Sequence, residues 1–183
     1  MIRSFLLISF LLLIVVPSRA QMAPLSATEV LQAAFQQAAK ENKNVFVIFH
    51  ASWCGWCHKM DSSMNDKCCK KYFDDNFVTT HLVVDESPNK KHLENPGADE
   101  LRAKYNGDNQ GIPFWLVFDK NGQLLGDSQI RPAGATLKAK GQNVGCPAAE
   151  KEAAYFIEVL KHTSHLAPSQ EAAIQKRFRE NEH

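Results

Sequence analysis

Long apolar runs, charge blocks, repeats and low-complexity tracts are largely missing from this 183-residue sequence. Its 21 basic and 20 acidic side chains are interspersed, with a net charge of +1. No patch of one sign is present to recruit nucleic acid or an anionic membrane surface, so neither is expected as a partner. The one sustained apolar stretch, "FLLISFLLLIVV", is short. A bilayer span needs ~20 apolar residues. No cysteine lies in or just after that stretch, so nothing there points to a lipid anchor. Without repeats or a break in composition, the length suits one domain with an ordinary core.

What is present begins with the layout of a secretory signal peptide over residues 1–20. A basic Arg3 precedes the apolar run, and small residues Ser18 and Ala20 close it, which sets cleavage after Ala20. Losing Arg3 and Arg19 with the leader takes the net charge to −1. The expected organisation is a leader (1–20), a folded domain (21–163) and a C-terminal tail (164–183). The expected location is the periplasm or the exterior, where dithiol chemistry is at home. All five cysteines (Cys54, Cys57, Cys68, Cys69 and Cys146) stay in the mature chain, and the odd count leaves one thiol without an intramolecular partner.

The patterning predicts alternating helices and strands. Ala27, Leu31, Ala34, Phe35 and Ala38 share one helical face, opened by a Ser26/Glu29 capping box. "NVFVIFH" reads as a buried strand, and a helix is expected from the cysteine motif through Met60 and Met64 towards Tyr72. "FVTTHLVVDE" is a second strand and "SPNKKHLENPG" a polar loop. A short helix, "GADELRAKY", has Pro96 in its first turn. Phe114 to Phe118, turning at Asp119–Gly122, forms a hairpin. A Gly-rich connection leads to a last strong helix with Pro147 in its first turn and an apolar stripe of Ala149, Ala153, Phe156, Ile157 and Leu160. The tail either docks as a short helix or frays. Helix-separated strands should pair in parallel and the hairpin antiparallel, giving a mixed sheet with helices on both faces.

The chemistry sits in "ASWCGWCHK", residues 51–59, directly after the first strand. Cys-x-x-Cys serves as a redox dithiol, as half of a zinc site or, followed by His58, as a haem attachment site. Zinc needs a second ligand pair, and the adjacent Cys68-Cys69 is not the usual spacing. Haem needs a second axial ligand and an apolar cavity, and Met60 and Met64 lie too close along the same helix to reach the opposite face. A dithiol needs a stabilised thiolate. A helix N-terminus supplies one at Cys54 through free N–H groups and the helix dipole. Cys57, one turn further in, is then the resolving thiol. Gly55 lets the backbone turn tightly, and Trp53 and Trp56 shield the pair and offer apolar surface.

With "WCGWC" opening a helix and "GIP" 56 residues beyond Cys57, counted to Pro113, the chain resembles the thioredoxin superfamily from about Ser26 to His162. More narrowly it resembles exported thioredoxin-like proteins with a WCxWCH site. The resemblance implies a thioredoxin-like α/β/α three-layer sandwich and a thiol–disulfide oxidoreductase, with reductase as the expected direction. It implies a cis Ile112–Pro113 peptide beside the cysteines, with the Ile112 backbone left to pair with a substrate strand. It implies no cofactor and no metal. The partners are disulfide-containing proteins and a redox donor or acceptor, carried by a membrane in one version, and the chain is a monomer. The family's extra N-terminal strand has no counterpart here. Ile48 also stands where members often carry a buried acid six residues before the first cysteine. His50, His58, Lys59 or water is left to serve the resolving thiol. Two other readings stay open: a binding module whose disulfide is static, and a small c-type cytochrome. For Cys68 and Cys69 the plain reading is two helix residues, one packed and one exposed. The sharper one bonds either of them to Cys146.

Overall fold

The computed structural model describes residues 23–182; the expected leader and its cleavage site lie outside them. Helix α1 (Ala27–Glu41) is opened by the expected capping box, in which Ser26 Oγ accepts from Glu29 N and Glu29 Oε2 accepts from Ser26 N. Asn42, at φ 53°, ends it in the left-handed region. Strand β1 (Asn44–His50) pairs in parallel with β2 (Phe77–Val83) and antiparallel with β3 (Phe114–Phe118). β3 turns through Asp119–Gly122 into β4 (Leu124–Asp127), giving the sheet order β2-β1-β3-β4. Gly122 takes φ 84° in that turn, a region open to glycine at no steric cost.

Successive strand residues point to opposite faces, and the two sets build two cores. Phe46, Ile48, Trp115 and Val117 face α2 (Gly55–Met64), α3 (Lys70–Asn76), α5 (Glu150–Thr163) and α6 (Pro168–Arg179). Val45, Val47, Phe49, Leu116 and Phe118 face α1 and α4 (Ala98–Lys104). This is the three-layer α/β/α sandwich of the thioredoxin-like fold. Gly126 on β4 lets α5 approach closely, since a Cβ there would sit 2.7 Å from a Val159 methyl carbon.

Several elements differ from the sequence reading. The helix expected to continue to Tyr72 is broken: α2 stops at Met64 and α3 starts at Lys70, because the Asn65–Cys69 turn folds back on Asp66. The polar loop carries a 3-10 turn at Pro88–Leu93. Pro96 and Pro147 stand before their helices rather than within the first turn, since Gly97 and Ala149 are the caps. The Gly-rich connection holds a two-stranded ribbon, β5 (Gln129–Ile130) with β6 (Gln142–Asn143). A buried ion pair between Arg131 and Asp127 clamps its base, and Tyr155 Oη donates to the carbonyls of Asp127 and Gln129. The tail docks as α6, with Ile174 and Phe178 both fully buried. Among the described residues no helix is long and apolar enough to cross a membrane.

Candidate active site

The site forms where the parallel pair β1 and β2 delivers its carboxyl ends side by side. Cys54 caps α2, with Sγ accepting from Cys57 N at 3.1 Å, and its sulfur is bonded to that of Cys57. Both cysteines are buried, at 3% and 1% exposure, so their positions distinguish them more than their burial does. Cys54 is the cap, exposed to the helix dipole, and Cys57 lies inside the first turn. The Ile112–Pro113 peptide is cis, and Cys54 Sγ lies 3.6 Å from the Ile112 carbonyl. Trp53 and Trp56 flank the pair and are 59% and 47% exposed, an unusual placement for large aromatics. Gly55 begins α2 in open space.

The residues that sequence reasoning offered as tuning groups have other partners. The exposed His58 ring lies 3.2 Å from the Ser52 carbonyl. Lys59 Nζ sits 4.4 Å over the Trp56 ring and donates to the Asn181 carbonyl, tying α2 to the C-terminus. Ile48 is fully buried, registered between His81 and Trp115. His50 follows two residues on, its ring 5.0 Å from that of His81, whose Nε2 is 2.8 Å from Asp61 Oδ1. Burial, then the neighbouring His81, hold the His50 imidazole below its ordinary range. It is therefore neutral at neutral pH, and its surroundings work against its taking up a proton.

Two supports were not legible in the sequence. The first is Glu86, just past β2 and 4% exposed. Its carboxylate accepts from Ser52 N at 2.6 Å and Ser52 Oγ at 2.9 Å, while Trp53 Nε1 donates to the Asp85 carbonyl at 2.7 Å. The loop leading into Cys54 is thereby pinned. The second is the ribbon: Asn143 Nδ2 donates to the Gly111 and Pro113 carbonyls, and Gln110 Oε1 accepts from Asn143 N. The ribbon and the cis-proline loop together wall a groove of about 610 Å³ that opens beside Trp56.

Burial works against the charged form of Glu86, yet the Ser52 hydrogen bonds and Lys90 hold its carboxyl below the usual range. A value lowered on folding contributes stability above the unfolded carboxylate range, and that contribution is lost as pH falls through the folded value. Glu86→Gln should therefore remove part of the acid sensitivity of unfolding while keeping an oxygen for Ser52 N. Losing a negative charge near the pair should also lower the Cys54 thiol pKa, read from thiolate absorbance. An unchanged thiol titration would show that Glu86 acts through position alone.

The remaining thiols are free: Cys68 exposed, Cys69 and Cys146 buried. Cys69 is packed and Cys68 exposed, as the plain reading has it, but both lie in the turn between α2 and α3 rather than in a helix, and neither is bonded to Cys146. Burial pushes the Cys146 thiol up to about 12. Haem attachment would need Cys54 and Cys57 as two separate thioethers, whereas here they are bonded to each other. Among the described residues no three His, Cys, Asp or Glu side chains gather as a metal site.

A redox-capable Cys-x-x-Cys capping a helix beside a cis-proline, on this sheet, defines a thioredoxin-fold protein of the disulfide-oxidoreductase type. The thioredoxin-like family model matches residues 26–120, just over half of the chain, and the chain belongs to that family. Among solved structures it is similar to a disulphide isomerase from Xylella fastidiosa Temecula1, with 16% identity, 86% of this chain and 92% of that one covered, and a TM-score of 0.48. It is also similar to a thioredoxin from Nicotiana alata, with 19% identity, 79% and 99% covered, and a TM-score of 0.41. An uncharacterized protein of Caenorhabditis elegans is 37% identical over 63 residues, which is 34% of this chain and only 9% of that relative.

Proposed function

We propose that the chain reduces protein disulfides outside the cytoplasm. Cys54 thiolate attacks a substrate disulfide and forms a mixed disulfide. Cys57 thiolate then attacks the Cys54 sulfur, releasing the reduced substrate and leaving Cys54–Cys57 oxidised. A second redox protein, membrane-borne or free, returns the two electrons. The enzyme works as a monomer and needs no cofactor. The observation that carries the reading is the Cys54–Cys57 bond at the N-terminus of α2, beside the Ile112 carbonyl and between two exposed tryptophans. The apolar rims suit an unfolded or extended polypeptide better than a small polar disulfide. The export reading rests on the pattern of residues 1–20.

The direction of electron flow is tested by equilibrating the mature protein in thiol–disulfide buffers and following tryptophan fluorescence. A two-electron transition towards the reducing end of the dithiol scale, about −270 mV, supports a reductase. One near the oxidising end, about −120 mV, reverses the proposed direction. Absence of any transition makes the disulfide static and turns the groove into a docking surface alone.

A further inference from the structure

A second pair of sulfurs lies outside this site, at the far end of α2. Cys68 and Cys69 occupy the turn that separates α2 from α3, with their sulfurs 3.1 Å apart. Cys68 is exposed, and Cys69 is fully buried in the larger core. The turn is held from both sides. Cys68 N donates to Asp66 Oδ1, Cys69 N and Lys70 N both donate to the Asp66 carbonyl, and Arg177 from α6 reaches Asp66 Oδ2 at 3.3 Å. Neither cysteine takes part in the reaction proposed for Cys54 and Cys57.

From this geometry we infer that Cys68 and Cys69 form a second dithiol, which closes to a disulfide between adjacent residues by exchange with a small-molecule disulfide such as glutathione disulfide. Exchange starts at Cys68, the thiol that solvent reaches. Its sulfur bonds to one glutathione sulfur, the glutathione S–S bond breaks, and the other glutathione leaves as thiol. Cys69 sulfur then attacks Cys68 sulfur from 3.1 Å away, and the second glutathione leaves carrying the Cys69 proton. Overall, two thiols and one disulfide become one internal disulfide and two glutathione thiols. The attack needs the sulfurs to close from 3.1 Å to a bond of about 2.05 Å. Burial, with Cys68 beside it, pushes the Cys69 thiol far up, so it stays protonated and the closing step is the slow one.

The bridge should be labile. Ordinary disulfides join Cα atoms roughly 4.4–6.8 Å apart, whereas neighbouring residues fix that distance at about 3.8 Å. Strained bridges are easier to reduce and act as responsive rather than structural ones. The Cys68–Cys69 pair is therefore expected to close only under more oxidising conditions than Cys54–Cys57.

The test uses the wild-type mature protein, poised across a glutathione series, alkylated in acid-quenched denaturant and cleaved before aspartate. Cutting at Asp61, Asp66 and Asp74 separates Cys54 and Cys57 from Cys68 and Cys69, and Cys146 falls on a third peptide. The expected product is a fragment of residues 66–73 that is two hydrogens lighter than its thiol form and unalkylated. It should appear at a more oxidising poise than the Cys54–Cys57 bridge. Doubly alkylated Cys68 and Cys69 throughout, a glutathione adduct on Cys68 that never resolves, or a cross-link to Cys146 each overturns the inference. Because each pair is read on its own peptide, failure here leaves the Cys54–Cys57 reading intact, and the reverse also holds.

Discussion

Cys54→Ser is expected to abolish the proposed disulfide reduction, assayed as insulin precipitation with dithiothreitol as electron source, while Cys57→Ser should keep the first half of the reaction and stall. The two outcomes follow from where the sulfurs sit. Cys54 is the helix cap, with its sulfur accepting from Cys57 N and lying beside the open Ile112 carbonyl, so it meets the substrate. Without it no mixed disulfide forms, and activity falls to the uncatalysed level. Cys57 lies inside the first turn of α2, so it reaches the Cys54 sulfur rather than an incoming protein. Its loss leaves substrates attached to Cys54, visible as high-mass adducts on non-reducing gels that a small thiol releases. Full activity in Cys54→Ser would overturn the assignment of the nucleophile. Adducts on Cys57 in place of Cys54 would exchange the two roles.

Phe178→Ala should destabilise the protein by about 3–5 kcal/mol, the usual cost of emptying an aromatic site in a packed core. Phe178 is fully buried, and its ring centroid is 4.8 Å from that of Phe156. Phe156 in turn packs edge-on against Trp115 and Phe46 beneath the sheet. The C-terminal helix is thus an integral wall of the larger core. The change should appear as a lower denaturant midpoint with an unchanged slope, and as a drop on the order of 10 °C in the thermal midpoint. A loss below about 1 kcal/mol would mean that α6 frays in solution and that Phe156 is covered by something else.

Most of the architecture was legible because its signals are local. Five consecutive buried residues mark β1, Ser26 and Glu29 announce α1, and Asn121-Gly122 marks the hairpin. The break between α2 and α3 was missed because apolar spacing carries across it. The contrary signal was Asn65-Asp66, a pair whose side chains compete for backbone hydrogen bonds. Pro96 and Pro147 precede their helices, because a φ fixed near −65° suits an extended flank as well as a first helical turn. For α6 the signals were few: Pro168 at its start, and the pair Ile174 and Phe178, four apart among charges. The active cysteines were legible from motif and context. Glu86 was not, because its partner Ser52 lies 34 residues away. The parallel pairing of β1 and β2 offered a hint: it places their following loops together, at the strand ends where sites gather in open α/β sheets.

The ribbon that braces the cis-proline loop bears on how a substrate is chosen. Asn143, held by Gln110, grips the Gly111 and Pro113 carbonyls, and Gly145 O accepts from the buried Trp115 indole. One side of the groove is therefore preorganised before any polypeptide arrives, and the ordering entropy of association falls almost wholly on the incoming chain. A segment already extended and loosely structured loses least on entering. Under the proposed function, loosely structured polypeptides should then bind ahead of folded proteins carrying the same disulfide, a preference in affinity that follows from rigidity and needs no sequence-specific contact.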